Sequence, residues 1–342
     1  MPFSGGTGTE LDPFLIANEV DLLSLVALWN VDGYKGKYYQ QTADITLSAP
    51  FPMIGDGAEV TTIIYDAQGY KLLGIDVDGS TDQWISFFRF AEGEGVQFKR
   101  MDLAGEVKGG NDTCGLLAHG SSGEVTQEIE DCIVRCDVVA QAAGEIVGIG
   151  GEGTGKISRS LFLGRLTCHI SQMPADCIYP IGFAGTELVD CYYDSTMNPS
   201  VIGGTGAIGL TTAELKSEVP VALQSAFRSA RDPVTAAYDY WCLKSPLDRS
   251  LTISAGAGGV LSLLPAGMWE YRGTVDVSIV ASANAGYRFK EWTGDGAAKV
   301  ANVNSATTTI NLDGSYSIQA TFGVVPISKK KMIIKLTSHR RR

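Results

Sequence analysis

The sequence predicts an all-β protein whose larger part is a β-solenoid, and three observations carry that prediction. Almost everything from residue 37 to 210 reads as strands of four to six residues separated by Gly-rich turns. The same stretch repeats about every 30 residues, with apolar positions that hold register. From Leu251 to Phe322 the pattern changes to strict apolar–polar alternation, the mark of a small separate β-domain of about 70 residues.

In chain order the first element is a helix. Residues 18–29, NEVDLLSLVALW, put Leu22, Leu23, Leu25, Val26 and Trp29 on one side, and Asn18 stands where a cap accepts a backbone N–H. The repeat follows as VQFKRMDLAGEV (96–107), QEIEDCIVRCDVV (127–139), GKISRSLFLGRL (155–166) and TELVDCYYDSTM (186–197). These align without gaps at steps of 31, 28 and 31 residues. One column holds Phe98, Ile129, Ile157 and Leu188, and a second holds Met101, Cys132, Ser160 and Cys191. A third holds Leu103, Val134, Phe162 and Tyr193, and a fourth Val107, Val138, Leu166 and Met197. Positions two apart share one face of a strand, so the second and third columns face the same way. Gly-flanked apolar elements precede the last three repeats: CGLLAHG (114–120), VGIGGEG (147–153) and YPIGFAG (179–185), suited to tight corners. A lone coil cannot bury such a face, whereas stacked coils share one core and pair each strand with the coils above and below.

The two ends of a solenoid are open strand edges. The helix at 18–29 is placed to cover the first. Residues 211–229 carry a second helical pattern, with Thr211 or Thr212 ahead of Glu214 as in a capping box, and are placed to cover the other. In the C-terminal part, TVDVSIVASA, TTTINL and SYSIQATF alternate, and Asp313-Gly314 between the last two predicts a hairpin turn. The expected organisation is a capped solenoid over 1–230, a linker or docking segment over 231–250, the β-domain over 251–322 and a basic tail over 323–342.

Composition narrows the function classes. Of 342 residues 41 are Gly, 44% are hydrophobic and only 19% are charged, which excludes a disordered chain, a coiled coil or a collagen-like rod. No apolar run approaches the roughly 20 residues that span a bilayer. The net charge is −11, and because the tail holds seven bases and no acid, residues 1–322 carry −18. An acidic body repels phosphate backbones, so no nucleic acid is expected on it. The seven Cys include no CxxC pair and have no His at zinc-finger spacing, and they read as small buried hydrophobes kept reduced. The three His share no metal or triad spacing, and no metal or cofactor is expected. The opening MPFSGGTGTELDPF lacks the basic and apolar regions of a secretory leader, so either a leader was removed or that route is not used.

Two family resemblances follow from the motifs. FSGGTGTELDPFLIANEVDLLSLV, GKYYQQTADITL and FPMIGDG with IIYDAQGYKLLGIDV resemble the opening of GLUG-motif bacterial surface proteins. GLLAHG and DCIVRCDV resemble the repeats of that family, and IGLTTAELKS the segment that ends its array. The resemblance covers about residues 4–220 and implies a right-handed parallel β-helix with a surface, adhesive or scaffold role. DAQGY at 66–70 departs from the family's DGNGH turn, which leaves the specific partner open. Residues 251–322 resemble the divergent internalin B-repeat-like domain through LTISAGAGG, AGYRFKEWTGDG (285–296) and ATTTINLDGSYSIQATF (306–322). That resemblance implies a non-catalytic β-grasp-like or β-sandwich spacer.

A glycan-cleaving solenoid needs carboxylates, or a carboxylate with Lys or Arg, on neighbouring coils. Asp66, Asp76, Asp78, Asp102, Asp131 and Asp190 are the candidates. Asp131 and Asp190 share a column with Arg159 between them, which reads as an ion-pair ladder, so no catalytic residue is assigned. Asp131, Arg159 and Asp190, with Tyr192 as a ring that could stack on a sugar, stand as candidate binding residues. DVDGSTD at 76–82 is similar to part of a calcium loop but has Phe87 at the twelfth position, and reads as a turn. GGEGTGK at 150–156 lacks phosphate-loop spacing. The tail residues Lys329, Lys330, Lys331, Arg340, Arg341 and Arg342 are candidate anchors to another subunit. The expectation is a non-enzymatic structural or adhesive display protein, foremost a phage-type virion component such as a decoration, fibre or tail protein, assembled in the host cytoplasm. Its partners would be other virion or surface proteins, with a glycan as the ligand class. The alternatives are a bacterial cell-surface adhesin and a glycan-active lyase or hydrolase.

Overall fold

The structure, a computed structural model, describes residues 2–55, 62–79, 84–91, 95–119, 127–142, 144–169, 177–199 and 206–326. The chain forms two compact units: Met1–Arg231 with Ala237–Asp248, and Asp232–Ala236 with Arg249–Arg342. No helix among the described residues is long and apolar enough to cross a membrane.

The first unit is a β-solenoid. Its first sheet has seven parallel strands: Phe14–Ile16, Lys37–Gln41, Ile63–Asp66, Gln97–Lys99, Glu128–Glu130, Lys156–Ser158 and Glu187–Val189. Its second sheet runs in parallel from Ile45–Thr46 through Lys71–Gly79, Asp102–Gly109, Ile133–Ala140, Leu161–Phe162 and Tyr192–Asp194 to Ile208–Leu210. Leu166–Cys168 also pairs with Ile133–Ala140. Two three-stranded sheets complete the coils, and the Gly-flanked elements of the sequence supply two of their strands, Leu117–His119 and Gly150–Glu152, and the last residue of three others. The corners there need glycine: a Cβ on Gly148 would lie 2.0 Å from the Pro180 carbonyl oxygen, and one on Gly115 2.2 Å from that of Gly148.

The aligned columns are the solenoid's interior. Phe98, Ile129, Ile157 and Leu188 are registered partners, and Tyr65, Tyr39 and Phe14 continue the column toward the N-terminus. Leu103, Val134, Phe162 and Tyr193 form another, with Leu72 before them. Val107, Val138 and Leu166 pair as expected. Met197 does not join them: it lies in a turn, where its N–H is bound by the Asp194 carboxylate.

Helix α1, Glu19–Leu28, forms where the periodicity places it, and the Asn18 side chain accepts from the Asp21 N–H. Leu22, Leu25 and Trp29 are buried, while Leu23 is exposed. Asp21 is buried but satisfied, accepting from the Ser4 hydroxyl and the Ala17 N–H. The second helical expectation is corrected. Helix α2 covers only Thr212–Leu215, although its capping box between Thr211 and Glu214 is present. Pro220 cannot continue an α-helix. After it the chain makes a 3-10 turn at Val221–Leu223 and then the strand Phe227–Arg231. That strand pairs antiparallel with Tyr238–Leu243, so much of the expected linker 231–250 is docked structure. DVDGSTD also differs from a turn, since Asp76 and Asp78 lie within the strand Lys71–Gly79 and Asp82 lies outside the described residues.

The second unit packs two sheets over one core. One has the order Gly267–Arg272, Asp248–Ala255, Tyr316–Val324, Tyr287–Thr293, and the other Gly259–Leu261, Val275–Ala283, Thr307–Leu312. Leu251, Ile253, Ile318 and Ala320 face Val277, Ile279, Ile310 and Leu312 across it, with Trp292 buried among them. The Asp313-Gly314 hairpin is corrected: Thr307–Leu312 pairs with Val275–Ala283, and Tyr316–Val324 pairs in the other sheet. Neither Asp313 nor Gly314 takes the positive φ that a two-residue hairpin turn of type I′ requires. The two residues instead carry the chain from one sheet to the other.

The interior columns bear most of the solenoid's stability. Phe98 is fully buried with its ring centroid 4.5 Å from that of Phe88. Phe98→Ala is expected to lower the unfolding free energy by about 3–5 kcal/mol, read as a lower urea midpoint for the solenoid.

Candidate functional site

The corner between the first and second sheets is made in successive coils by one residue in the left-handed region: Arg100 (φ 52), Asp131 (φ 55), Arg159 (φ 44) and Asp190 (φ 52). The second aligned column follows it, and Met101, Cys132, Ser160 and Cys191 are all fully buried. Backbone bonds continue around the corner, from the Arg100 N–H to Glu130, Asp131 to Ser158 and Arg159 to Val189. Ser160 is small and polar for a reason: its hydroxyl accepts the Cys132 N–H at 3.1 Å and donates to the Ser158 carbonyl at 2.9 Å.

The side chains at this corner form one rung of the expected Asp131–Arg159–Asp190 ladder, and each Arg reaches to the preceding coil. The Arg159 Nε donates to Asp131 at 2.7 Å, and its Nη2 donates to Asp131 at 3.0 Å and to Glu130 at 2.5 Å. These contacts, Asp131 first, raise the Arg159 pKa above its ordinary value. Arg100 pairs with Asp66 in the same way through Nε and Nη2. Arg135 donates to the buried Asp102 at 2.9 Å. The structure thus brings Asp131 and Arg159 together, whereas Asp190 is exposed.

Tyr192 has a different neighbour from the one expected. Ile133, Leu161 and Leu163 project from the second sheet into a separate apolar cluster with Leu215, Leu223, Phe227 and Trp241. Tyr192 packs on the rim of that cluster, edge-on to Trp241 at 5.9 Å. Its ring therefore packs against the Trp241 segment of the same unit. Asp194, fully buried, is spent the same way, accepting from Thr212 Oγ1 at 2.7 Å and Tyr240 Oη at 2.8 Å.

Among the described residues, no apolar cluster of this kind covers the outer face of the first sheet. Two outward columns run along it, Tyr38–Ile64–Gln97–Glu128 and Gln40–Asp66–Lys99–Glu130. Their N-terminal portion lines a groove of about 550 Å³, bounded by Glu10 and Pro13 on one side and Gly95 on another. Sequence reading missed these residues because it followed the columns that point inward. Their signal was parity, since each stands one position from a core residue. The tail candidates Lys329, Lys330, Lys331, Arg340, Arg341 and Arg342 lie outside the described residues.

A further acidic pair sits where the sequence offered no motif. Asp112 and Glu145 precede the paired residues Thr113 and Ile146, and the Asp112 carboxylate accepts the Glu145 N–H at 2.9 Å. Partial burial, then the charges of Asp112 and Glu152, push the Glu145 carboxyl up to about 7.

Comparison with known proteins identifies the C-terminal unit. Residues 249–326 match the divergent InlB B-repeat domain. None of the curated proteins matches the chain. A solved structure described as a proposed immunoglobulin A1 protease from Bacteroides ovatus aligns with a TM-score of 0.44 at 15% identity, covering 70% of this chain and 95% of that one. A β-solenoid joined in one chain to an InlB B-repeat domain fits a surface or adhesive protein.

Two outcomes test this description. Asp131→Asn keeps a residue tolerant of the left-handed region but removes the charge facing Arg159, and should cost about 1–2 kcal/mol by urea denaturation. Glu145 is held protonated relative to the unfolded chain, so its contribution falls as pH rises from its ordinary 4.5 through about 7. Glu145→Gln should therefore stabilise the protein by about 1 kcal/mol at pH 8, after allowance for solvent screening, and leave it unchanged at pH 4. Thermal melts at the two pH values check the sign.

Proposed function

We propose that this chain is a non-enzymatic surface-display protein that adheres through its solenoid, with the InlB B-repeat unit as a spacer. The observation that carries the reading is the pairing of a β-solenoid and an InlB B-repeat domain in one chain. The resemblance of residues 4–220 to GLUG-motif surface proteins supports it. The state of the carboxylates supports the non-enzymatic part: Asp66, Asp102 and Asp131 are each engaged by an Arg guanidinium rather than left to a substrate.

The finer reading places the protein on a virus particle assembled in a reducing cytoplasm. It rests on the five buried cysteine thiols, Cys114, Cys132, Cys136, Cys191 and Cys242. Burial pushes the thiols of Cys114, Cys132, Cys136 and Cys242 up, and that of Cys191 to about 11, so they act as packing groups rather than nucleophiles. The tail is assigned the attachment to other particle proteins.

Immunogold electron microscopy of the native source, with an antibody to residues 251–322, tests the location. Label on particles is expected. Label confined to cell envelopes would overturn the virion location in favour of a cellular adhesin. Incubation with polysaccharides should release no reducing ends, and release abolished by Asp131→Asn would overturn the non-enzymatic reading.

A further inference from the structure

We infer that the groove on the outer face of the first sheet is the adhesive site, and that its ligand is an uncharged oligosaccharide lying along the solenoid axis. This rests on the adhesive reading above and adds the place and the chemical class.

The groove presents two unlike stripes side by side. Tyr38, Ile64 and Gln97 are cross-strand neighbours in one column, so a phenol ring and an aliphatic side chain form an apolar strip that ends in an amide. Gln40, Asp66 and Lys99 form the adjacent column, a strip of hydrogen-bonding groups two residues along each strand. A sugar ring has the matching form, with an apolar C–H face and a rim of hydroxyls. Tyr suits such a site because its ring is apolar and its tip polar. The coils are about 4.8 Å apart, close to the length of one sugar ring, so successive coils can each meet one sugar along a chain. The volume of about 550 Å³ is ordinary for a small-ligand site.

The charge balance selects an uncharged ligand. Glu10 at the rim is offset by Lys99 in the floor. The Asp66 carboxylate is already held by Arg100 and by the Gln68 side chain, which fixes it as an oriented acceptor. The side chains of Tyr38, Gln40 and Lys99 make no hydrogen bond or ion pair to the described residues, which leaves their polar atoms for a ligand. Sequence position explains the rigidity. Every groove residue in the sheet alternates with a core residue, Tyr39, Tyr65 or Phe98, that is fully packed.

The test is calorimetric titration of the full chain with short uncharged hexose and N-acetylhexosamine oligosaccharides, and with uronic acid oligosaccharides as the charged counterpart. At least one uncharged member should bind. Tyr38→Ala and Gln97→Ala should each weaken it about tenfold or more, while Tyr38→Phe, which keeps the ring and loses only the hydroxyl, should weaken it by less than Tyr38→Ala. Melting curves matched to the parent certify the fold, and Gln97→Ala and Lys99→Met serve if Tyr38→Ala does not fold. No binding by the parent protein, binding unchanged by these variants, or preference for uronates would overturn the inference. Attachment of labelled protein to its source particles or cells separates the two levels. Attachment that survives Tyr38→Ala overturns the groove and leaves the adhesive reading, and a parent protein that does not attach overturns the adhesive reading itself.

Discussion

The solenoid depends on one backbone constraint: four successive coils turn from the first sheet into the second through a single left-handed residue. Arg100, Asp131, Arg159 and Asp190 do so with positive φ, although none is Gly. For an L-residue that conformation costs roughly 1–2 kcal/mol, and four stacked corners repeat the cost. What offsets it is periodic as well. Each turn keeps the backbone donors aimed at the adjacent coil, so the hydrogen-bond ladder passes the corner unbroken from Arg100, Asp131 and Arg159. It also tips the following residue into the core, where Met101, Cys132, Ser160 and Cys191 are buried without exception. Asp is among the residues that tolerate this region. Arg does not share that tolerance, and the two Arg corners are the ones whose guanidinium groups clamp the carboxylates of the preceding coil.

This explains why the fold was legible and where legibility stopped. Columns such as Phe98–Ile129–Ile157–Leu188 could be read because stacking forces the same inward requirement on every coil, and register errors would turn an apolar residue outward. The Asp131–Arg159 contact was readable for the same reason, as equal positions on adjacent coils. Met197 failed because the last repeat turns early around Asp194, whose carboxylate accepts the Thr196 and Met197 N–H groups. The Tyr192–Trp241 contact was not legible because a column records which way a residue points and not what packs on it, and Trp241 arrives from 49 positions away in the sequence. Asp313-Gly314 failed because a turn dipeptide is compatible both with a hairpin and with a passage between sheets. Which of the two forms is decided by the partners of Ile310 and Ile318, which lie elsewhere in the chain.

The two long sheets make opposite use of their outer faces. That of the second sheet carries Ile133, Leu161 and Leu163, apolar positions that would be a liability if left in water. The chain covers them with Leu215, Val219, Leu223, Phe227, Trp241 and Leu243, and Arg135 ties the cover down by donating to the Trp241 carbonyl as well as to Asp102. The first sheet turns outward Gln, Glu, Lys and Asp with a few apolar neighbours, a face that is soluble without a cover. A face of that kind has no structural need of its own chain. Its residues are nonetheless held in strict register by the packed ones between them. The two sides of the solenoid thus differ among the described residues: the second sheet's outer face is closed by the chain's own apolar side chains, and the first sheet's outer face carries polar side chains held in register.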